Sequence, residues 1–446
     1  MRTPNPELQT RNPKPQTPDP KLRTPNSELS FVLTGACWLC CAPEKSVVIL
    51  KDIQEARKRV KSGIYYSPCP VSIQLSEVAG ARVYCKFDNL QRTGSFKERG
   101  ARNSLLLLGD MGRQKGVVAA SAGNHALGLA HHGKLLGIPV TVVMPESAPL
   151  IKITTCQRLG ARVIVAGRNF SEARQKADEL VVSDGLTYIN GYDDPEIIAG
   201  QGTMGLEILD QVPDAEAVIV PIGGGGLIAG VALAVKSLRP EVKIIGVEAE
   251  NTASFTAALR AGQPVTVAMK PSLADGLAVP QVGVNAFRLA KDLIDDLVLV
   301  DEDQIALAIL RILELEKGVV EGSAAATLAA LMAGRVPELH GKKVVLPFCG
   351  GNIDPSVLSR VMERGLVADG RLSRFSAVIS DRPGGLASLT RVIASVGASI
   401  KEITHDRTFS NAEVSAVQVV CTVETRDRKH IEELQRALAE AGVRCC

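Results

Sequence analysis

Aromatic side chains are scarce in this sequence. Phe, Trp and Tyr make up 3% of 446 residues, with a single Trp, while hydrophobic residues reach 46%. The core therefore has to be built from Ala, Val, Leu and Ile, the usual filling of layered α/β folds. An excess of charge of one sign is also missing, since 51 basic and 48 acidic residues leave a net +3. That balance gives no electrostatic reason to expect nucleic acid or an anionic membrane as a partner. Long apolar runs are lacking too. The longest, such as 215–235, contain glycines and lie between charged segments, so none reads as a membrane span. Nor is there a disulfide framework, because the ten cysteines follow no regular spacing. Cys37, Cys40 and Cys41 cluster in "CWLCC", but a zinc site there lacks a second ligand pair. With no clear signal peptide, mostly free thiols in a reducing, cytoplasmic compartment are expected.

What is present falls into three parts. Residues 1–45 open with proline every few positions, and "TPN" recurs at 3–5 and 24–26. Such a segment buries too little apolar surface to offset its ordering entropy, and a disordered tail is expected. Its excess of basic residues leaves an organellar transit peptide as the alternative, although its proline repeat is not amphipathic. From about 46 to 370, β-branched runs alternate with Ala/Leu-rich stretches across glycine turns. "GVVAAS", "VTVVMP", "RVIVAG", "AVIVPIGGGG", "KIIGVE" and "KKVVLPFCGGN" are the predicted strands. Repetition of strand, glycine turn and helix marks parallel sheets with helices on both faces, whose ligands sit at the carboxyl ends of the strands. From 373 to 446 the order reads strand, helix, strand, strand, helix, strand, a ferredoxin-like βαββαβ unit, with "GRLSR" at 370–374 as the hinge.

Four short motifs carry chemistry. In "PIGGGGLIAG", Gly223, Gly224, Gly225 and Gly226 follow a strand and open a helix, so backbone N–H groups and the helix dipole converge on one point. An ordinary turn needs one or two glycines. Neither GxGxxG nor GK[ST] is present, which weighs against dinucleotides and nucleoside triphosphates. In "SAGNHALG", Ser121, Ala122, Gly123 and Asn124 would offer N–H groups at a helix start to a carboxylate. The plain alternatives are a serine N-cap and, for His125, a structural histidine. Cys349 in "PFCGGN" ends a strand beside two glycines, or is simply a small buried residue. Lys97 in "TGSFKERGA" is the fourth. A phosphate cradle together with a lysine able to form a Schiff base suggests pyridoxal 5'-phosphate.

These motifs, with "DDPEIIAGQGTMGLEIL", "ADGLAV" and "VVEGSAAATLAAL" in order, resemble the threonine dehydratase (threonine ammonia-lyase) family, of the tryptophan-synthase-β-like fold. The likeness covers about 46–446, and "DRPGGLASLTRVI" resembles an ACT domain, a regulatory amino-acid-binding unit. The resemblance implies a two-lobed catalytic domain at 46–370, its small lobe at about 86–187 inserted in the large lobe. It implies that Lys97 holds the cofactor against Phe96, and that Asn124 donates to the cofactor's ring hydroxyl. Gly223 to Gly226 and Leu227 would wrap the phosphate, and Cys349 would face the ring nitrogen. Ser121, Ala122, Gly123, Asn124 and His125 would hold the amino-acid substrate. Elimination of water from L-threonine or L-serine would follow, giving a 2-oxo acid and ammonia.

Departures from the family pattern qualify that reading. Cys349 stands where many relatives carry serine and resembles the serine-dehydratase branch, so the preference for threonine or serine stays open. Ala122 stands where serine racemase carries a proton-donating serine, which makes racemisation a side reaction. Glu248 matches the first carboxylate of a divalent-cation site, but Ser254 stands at the second, and no metal is expected. In the ACT module, Asp381, Arg382, Gly384 and Gly385 form a candidate seat for an amino-acid effector, with a helix-capping turn as the alternative. A homodimer or homotetramer is expected from module pairing. The other readings are a fold-related β-replacing enzyme and a non-catalytic amino-acid sensor.

Overall fold

Residues 48–406 and 415–445 are described by a computed structural model. The expected disordered tail, the Cys37–Cys40–Cys41 cluster and Cys446 lie outside the described residues.

The strands, in chain order, are β1 (Arg82–Lys86), β2 (Val117–Ala120), β3 (Val140–Met144), β4 (Arg162–Val165), β5 (Thr187–Tyr188), β6 (Ala217–Pro221), β7 (Lys243–Ala249), β8 (Asp296–Val300), β9 (Lys343–Pro347), β10 (Leu372–Ser380), β11 (Ser399–Asp406), β12 (Ala416–Glu424) and β13 (Arg444–Cys445). All six predicted catalytic-region strands form. The first sheet runs β1-β9-β6-β7-β8 and the second β4-β3-β2-β5, and every pairing in both is parallel. Both faces of such sheets are covered, which is why β3 ("VTVVM", apolar but for Thr141) and β6 ("AVIVP") are buried at every position. Alternation could not have marked them as strands. The core is aliphatic, as the composition requires: Val218, Ile219, Ile245, Val344 and Val345 are fully buried, with Phe255, Phe287 and Phe348 as its few aromatic members. β1, β5 and β8 escape the strand–glycine–helix pattern. β1 runs into a 3-10 turn at Asp88–Leu90, and β8 into the Asp301 cap of helix Glu302–Arg311.

The C-terminal strands make a third sheet in the order β11-β12-β10-β13, antiparallel throughout. With helices Gly385–Ser395 and Arg428–Glu440 they form the βαββαβ ferredoxin-like unit. The hinge is shorter than the expected 370–374. β10 already begins at Leu372, because Leu372 pairs with Glu424, so the link from helix Pro355–Ala368 is 369–371. That link is gripped by ion pairs: Arg371 meets Glu314, and Asp369 meets Arg311. Among the described residues no helix is long and apolar enough to cross a membrane.

Candidate active site

The chain passes from "TGSF" into helix Lys97–Leu106, which packs against helices Asn124–Leu136 and Pro195–Gln211. Ser95 bridges Gly350, and the Phe96 amide donates to the Cys349 carbonyl at 2.9 Å, so the loop is tied to the carboxyl end of β9. Lys97 is half-buried, and its Nζ donates to the Gly191 carbonyl at 2.6 Å. The same nitrogen lies 5.3 Å from the centre of the Phe96 ring. Burial pushes the Lys97 amine down to about 8, against the opposing pull of Cys349 and Glu321. An amine so tuned is available as a nucleophile or base near neutral pH.

Gly191 is followed by Tyr192, and Tyr192 packs on the tetraglycine loop. A side chain at Gly224 would put its Cβ 2.2 Å from the Tyr192 ring, and one at Gly226 would meet the Tyr192 carbonyl at 2.3 Å. Gly223 has the Gly276 carbonyl of "ADGLAV" 3.0 Å from the same construction, and Gly225 adopts φ 92 as the N-cap of helix Gly226–Leu238. Four glycines are thus required by close approach and by a left-handed turn. No side chain caps this helix. The amides of Gly226 and the buried Leu227 therefore lie in a first turn that has no intrahelical acceptors. Residues 191–192 place this helix start and the Lys97 amine on two sides of one short segment.

Helix Asn124–Leu136 also starts without a side-chain cap, on Gly123. Its seat is narrower than expected. The Ser121 amide is spent on the Val143 carbonyl at 3.1 Å, continuing the β2–β3 ladder, and the Ser121 hydroxyl accepts from the Gly123 amide at 3.3 Å. Ser121 is therefore neither an N-cap nor an amide donor to the seat. Ala122 is half-buried with no polar side chain to offer. His125 Nε2 donates to the Ile189 carbonyl at 3.1 Å, and burial drives its pKa down to about 3, so the ring is neutral. That is the structural histidine, packed against Gly191.

Cys349 is buried, and its thiol is held well above its usual range by burial and by the neighbouring Glu321 carboxyl. It is a neutral S–H. Asn124 Nδ2 donates to both oxygens of Glu321, at 2.9 and 3.2 Å, and its Oδ1 accepts from Asn352 Nδ2 at 2.8 Å. Lys152 Nζ reaches the Asn352 carbonyl at 2.9 Å. Glu321, Asn352, Lys152, Gly191 and Tyr192 were not singled out from the sequence. Glu321 and Asn352 stand inside "VVEGSAAATLAAL" and "CGGN", where they are the one charged residue and the one amide side chain.

The remaining candidates lie elsewhere. The Glu248 carboxylate accepts from the Phe255 amide at 2.7 Å and from the Thr256 amide and hydroxyl at 2.8 and 2.6 Å, so it caps helix Ser254–Ala261. Asp381 and Arg382 precede Gly384, which takes φ 96 at the uncapped start of helix Gly385–Ser395. A Cβ on Gly385 would lie 2.1 Å from the Ser380 carbonyl.

A lysine amine of lowered pKa, an uncapped glycine helix start across a shared segment and a neutral thiol fit a phosphate-bearing aldehyde such as pyridoxal phosphate. Comparison with known proteins agrees. The family model described as pyridoxal-phosphate dependent enzyme matches residues 60–350. An L-threonine ammonia-lyase of Thermotoga maritima is 44% identical over 396 residues, which is 89% of this chain and 98% of the relative. The catabolic L-threonine dehydratase TdcB of Escherichia coli is 43% identical over 70% of this chain and 96% of its own. Among solved structures, processed threonine deaminase isoform 2 of Solanum lycopersicum superposes with TM-score 0.68 at 40% identity, covering 71% of this chain and 86% of that one. Maize serine racemase reaches TM-score 0.68 at 32% identity, covering 72% and 99%. The chain belongs to the family of pyridoxal-phosphate dependent enzymes.

Proposed function

We propose that this chain is a threonine ammonia-lyase, eliminating water from L-threonine, and also from L-serine, to an enamine that tautomerises to an imine, which water then hydrolyses to a 2-oxo acid and ammonia. The observation that carries the reading is the Lys97 amine, brought down to about 8 by burial and bonded to the Gly191 carbonyl, with the next residue, Tyr192, packed on an uncapped glycine helix start. Bound pyridoxal phosphate supplies an electron sink that acidifies the α-proton of an amino acid. Gly223, Gly224, Gly225, Gly226 and Leu227 would hold its phosphate through backbone amides, Asn124 its ring hydroxyl, Phe96 one ring edge and Cys349 its ring nitrogen.

The chain's own residues do the rest. The Asn124 and His125 amides, at a helix start with no side-chain cap, seat the substrate carboxylate. Lys97 Nζ takes the α-proton, and the β-hydroxyl departs as water. Cys349, a neutral thiol, cannot stabilise a protonated ring nitrogen as a carboxylate does, which favours prompt loss of the β-group over reprotonation of the α-carbon. The likeness to maize serine racemase keeps racemisation in view as a second reading, but Ala122 offers no proton to the far face of that carbon.

Around this body the reading includes an amino-acid effector at Asp381–Gly385 and a homodimer or homotetramer built through the C-terminal module. It includes a cytoplasmic location, with an organelle as the alternative. The test is release of 2-oxo acid from L-threonine and L-serine by the protein and by its Lys97→Ala form. Base and cofactor anchor are one group, so Lys97→Ala should lose both turnover and the cofactor's visible absorbance. Appreciable turnover by folded Lys97→Ala protein would overturn the assignment.

A further inference from the structure

The amide of Asn124 has partners that dictate which way it points. An asparagine side chain has an oxygen and a nitrogen of nearly equal size, and only its neighbours decide which goes where. Here Asn352 Nδ2 donates to Asn124 Oδ1 at 2.8 Å and also to the Thr93 carbonyl at 2.7 Å. On the other side stands the Glu321 carboxyl, accepting from Asn124 Nδ2 at 2.9 and 3.2 Å. A donor on one side and an acceptor on the other leave a single orientation. One Nδ2 hydrogen shared between the two carboxyl oxygens suffices for these contacts, which leaves the second for a ligand.

Glu321 is itself held with little freedom. It is 5% exposed, and its backbone amide donates to the Gly350 carbonyl at 3.0 Å. A Cβ on Gly350 would lie 2.3 Å from Glu321 Oε1, so the glycine beside Cys349 is what admits the carboxyl. Asn124 begins a helix that packs with the sheet β4-β3-β2-β5, whereas Glu321 precedes helix Gly322–Met332 behind the other sheet. The contact therefore joins the two halves of the cleft.

We infer that Glu321 is a positioning residue for the reaction, its carboxyl fixing the Asn124 amide so that the remaining N–H is presented to the cofactor's ring oxygen. The inference rests on the proposed lyase reading. Its charge state is open to pH. Burial first, and then Asp275, raises the carboxyl to about 7, while Asn124 and Lys152 pull it down. Lys97 and Cys349 face it from helix Lys97–Leu106 and the end of β9. Once ionised, Glu321 is an acceptor at both oxygens and holds Asn124 fully; once protonated, one oxygen becomes a donor and the grip loosens.

The experiment uses the full chain loaded with pyridoxal phosphate, as wild type, Glu321→Leu and Glu321→Gln. Cofactor dissociation constant and absorbance maximum are measured beside kcat and KM from pH 6 to 9. Glu321→Leu should weaken the cofactor, shift its absorbance and lower kcat at least about tenfold, with KM changing far less. Glu321→Gln keeps one acceptor oxygen. It should restore the absorbance, and should lack the fall of kcat below pH 7 that is expected of wild type. Wild-type absorbance and kcat in Glu321→Leu, or an unchanged pH inflection in Glu321→Gln, overturns the inference. If Glu321→Leu does not fold, the Glu321→Gln profile decides alone. An inactive wild type would sink the lyase reading instead, and the absorbance comparison would still judge Glu321.

Discussion

A lysine kept near 8 inside a protein is an energetic cost that function explains. In the unfolded chain its amine titrates near 10.5, so between about 8 and 10.5 the unfolded state binds the extra proton. The burden is full below pH 8 and fades as pH rises towards 10.5. In cofactor-free protein, Lys97→Met should therefore raise stability at pH 7, and raise it less at pH 10. Urea titrations at the two pH values read this directly, and a larger gain at pH 10 would contradict the sign. Ala122 offers a test of opposite kind. Ala122→Ser would place a hydroxyl near the helix start, which the proposed reading puts across the substrate from Lys97. Formation of D-serine from L-serine should then rise relative to dehydration. A product ratio identical to the parent's on chiral analysis would show that this residue does not face the α-carbon.

The elements that carry the site are pinned by a buried charge network that no local pattern announces. Arg99, on the same helix as Lys97, donates to Asp88 at 2.6 and 2.8 Å and to Glu207 at 2.7 and 2.8 Å. Lys86, at the end of β1, meets Glu207 at 2.6 Å, and Lys86, Asp88 and Arg99 are fully buried. Two cations balance two anions. Burial alone would push the Asp88 carboxyl up, but Arg99 overrides it and holds it below the usual range, so its ionised form persists at neutral pH. Arg99→Met should cost about 3–5 kcal/mol, since Asp88 is left buried without its cation and Glu207 keeps only Lys86. A chemical-denaturation midpoint near that of wild type would refute the role. The strands and glycine turns were legible because each is spelled by contiguous residues. The Lys97–Gly191, Asn124–Glu321 and Arg99–Glu207 contacts were not, because tertiary closure alone brings such distant residues together. Glu248 shows how a partial motif match reads. It matched a ligand pattern, yet its carboxylate is used on the amides of its own following helix.

At the scale of the whole molecule the question is what the C-terminal module does to the body. The body is enough for a lyase fold, since a catabolic dehydratase is matched over nearly its whole length by 70% of this chain. The module is attached through 369–371, where Arg371 pairs with Glu314. Glu314 lies in a π-helical turn, Ile312–Glu316, a form that is frequent at functional sites. Lys317 follows at φ 55, the one non-glycine residue with positive φ among the described residues, and the chain then reaches Glu321. Movement of the module thus has a short covalent path to the cleft. An amino acid seated at Asp381–Gly385 should change the apparent affinity for substrate by a modest coupling free energy, about 1–3 kcal/mol. Deleting 372–446 should abolish that response while turnover continues. Arg371→Met should weaken it with the module still in place. Substrate titrations of all three proteins, with and without isoleucine, valine and the other common amino acids, measure the effect. Superimposable curves for the full-length protein under every addition would leave the module an assembly role alone. A response retained by Arg371→Met but lost on deletion would place the coupling outside the 314–321 segment.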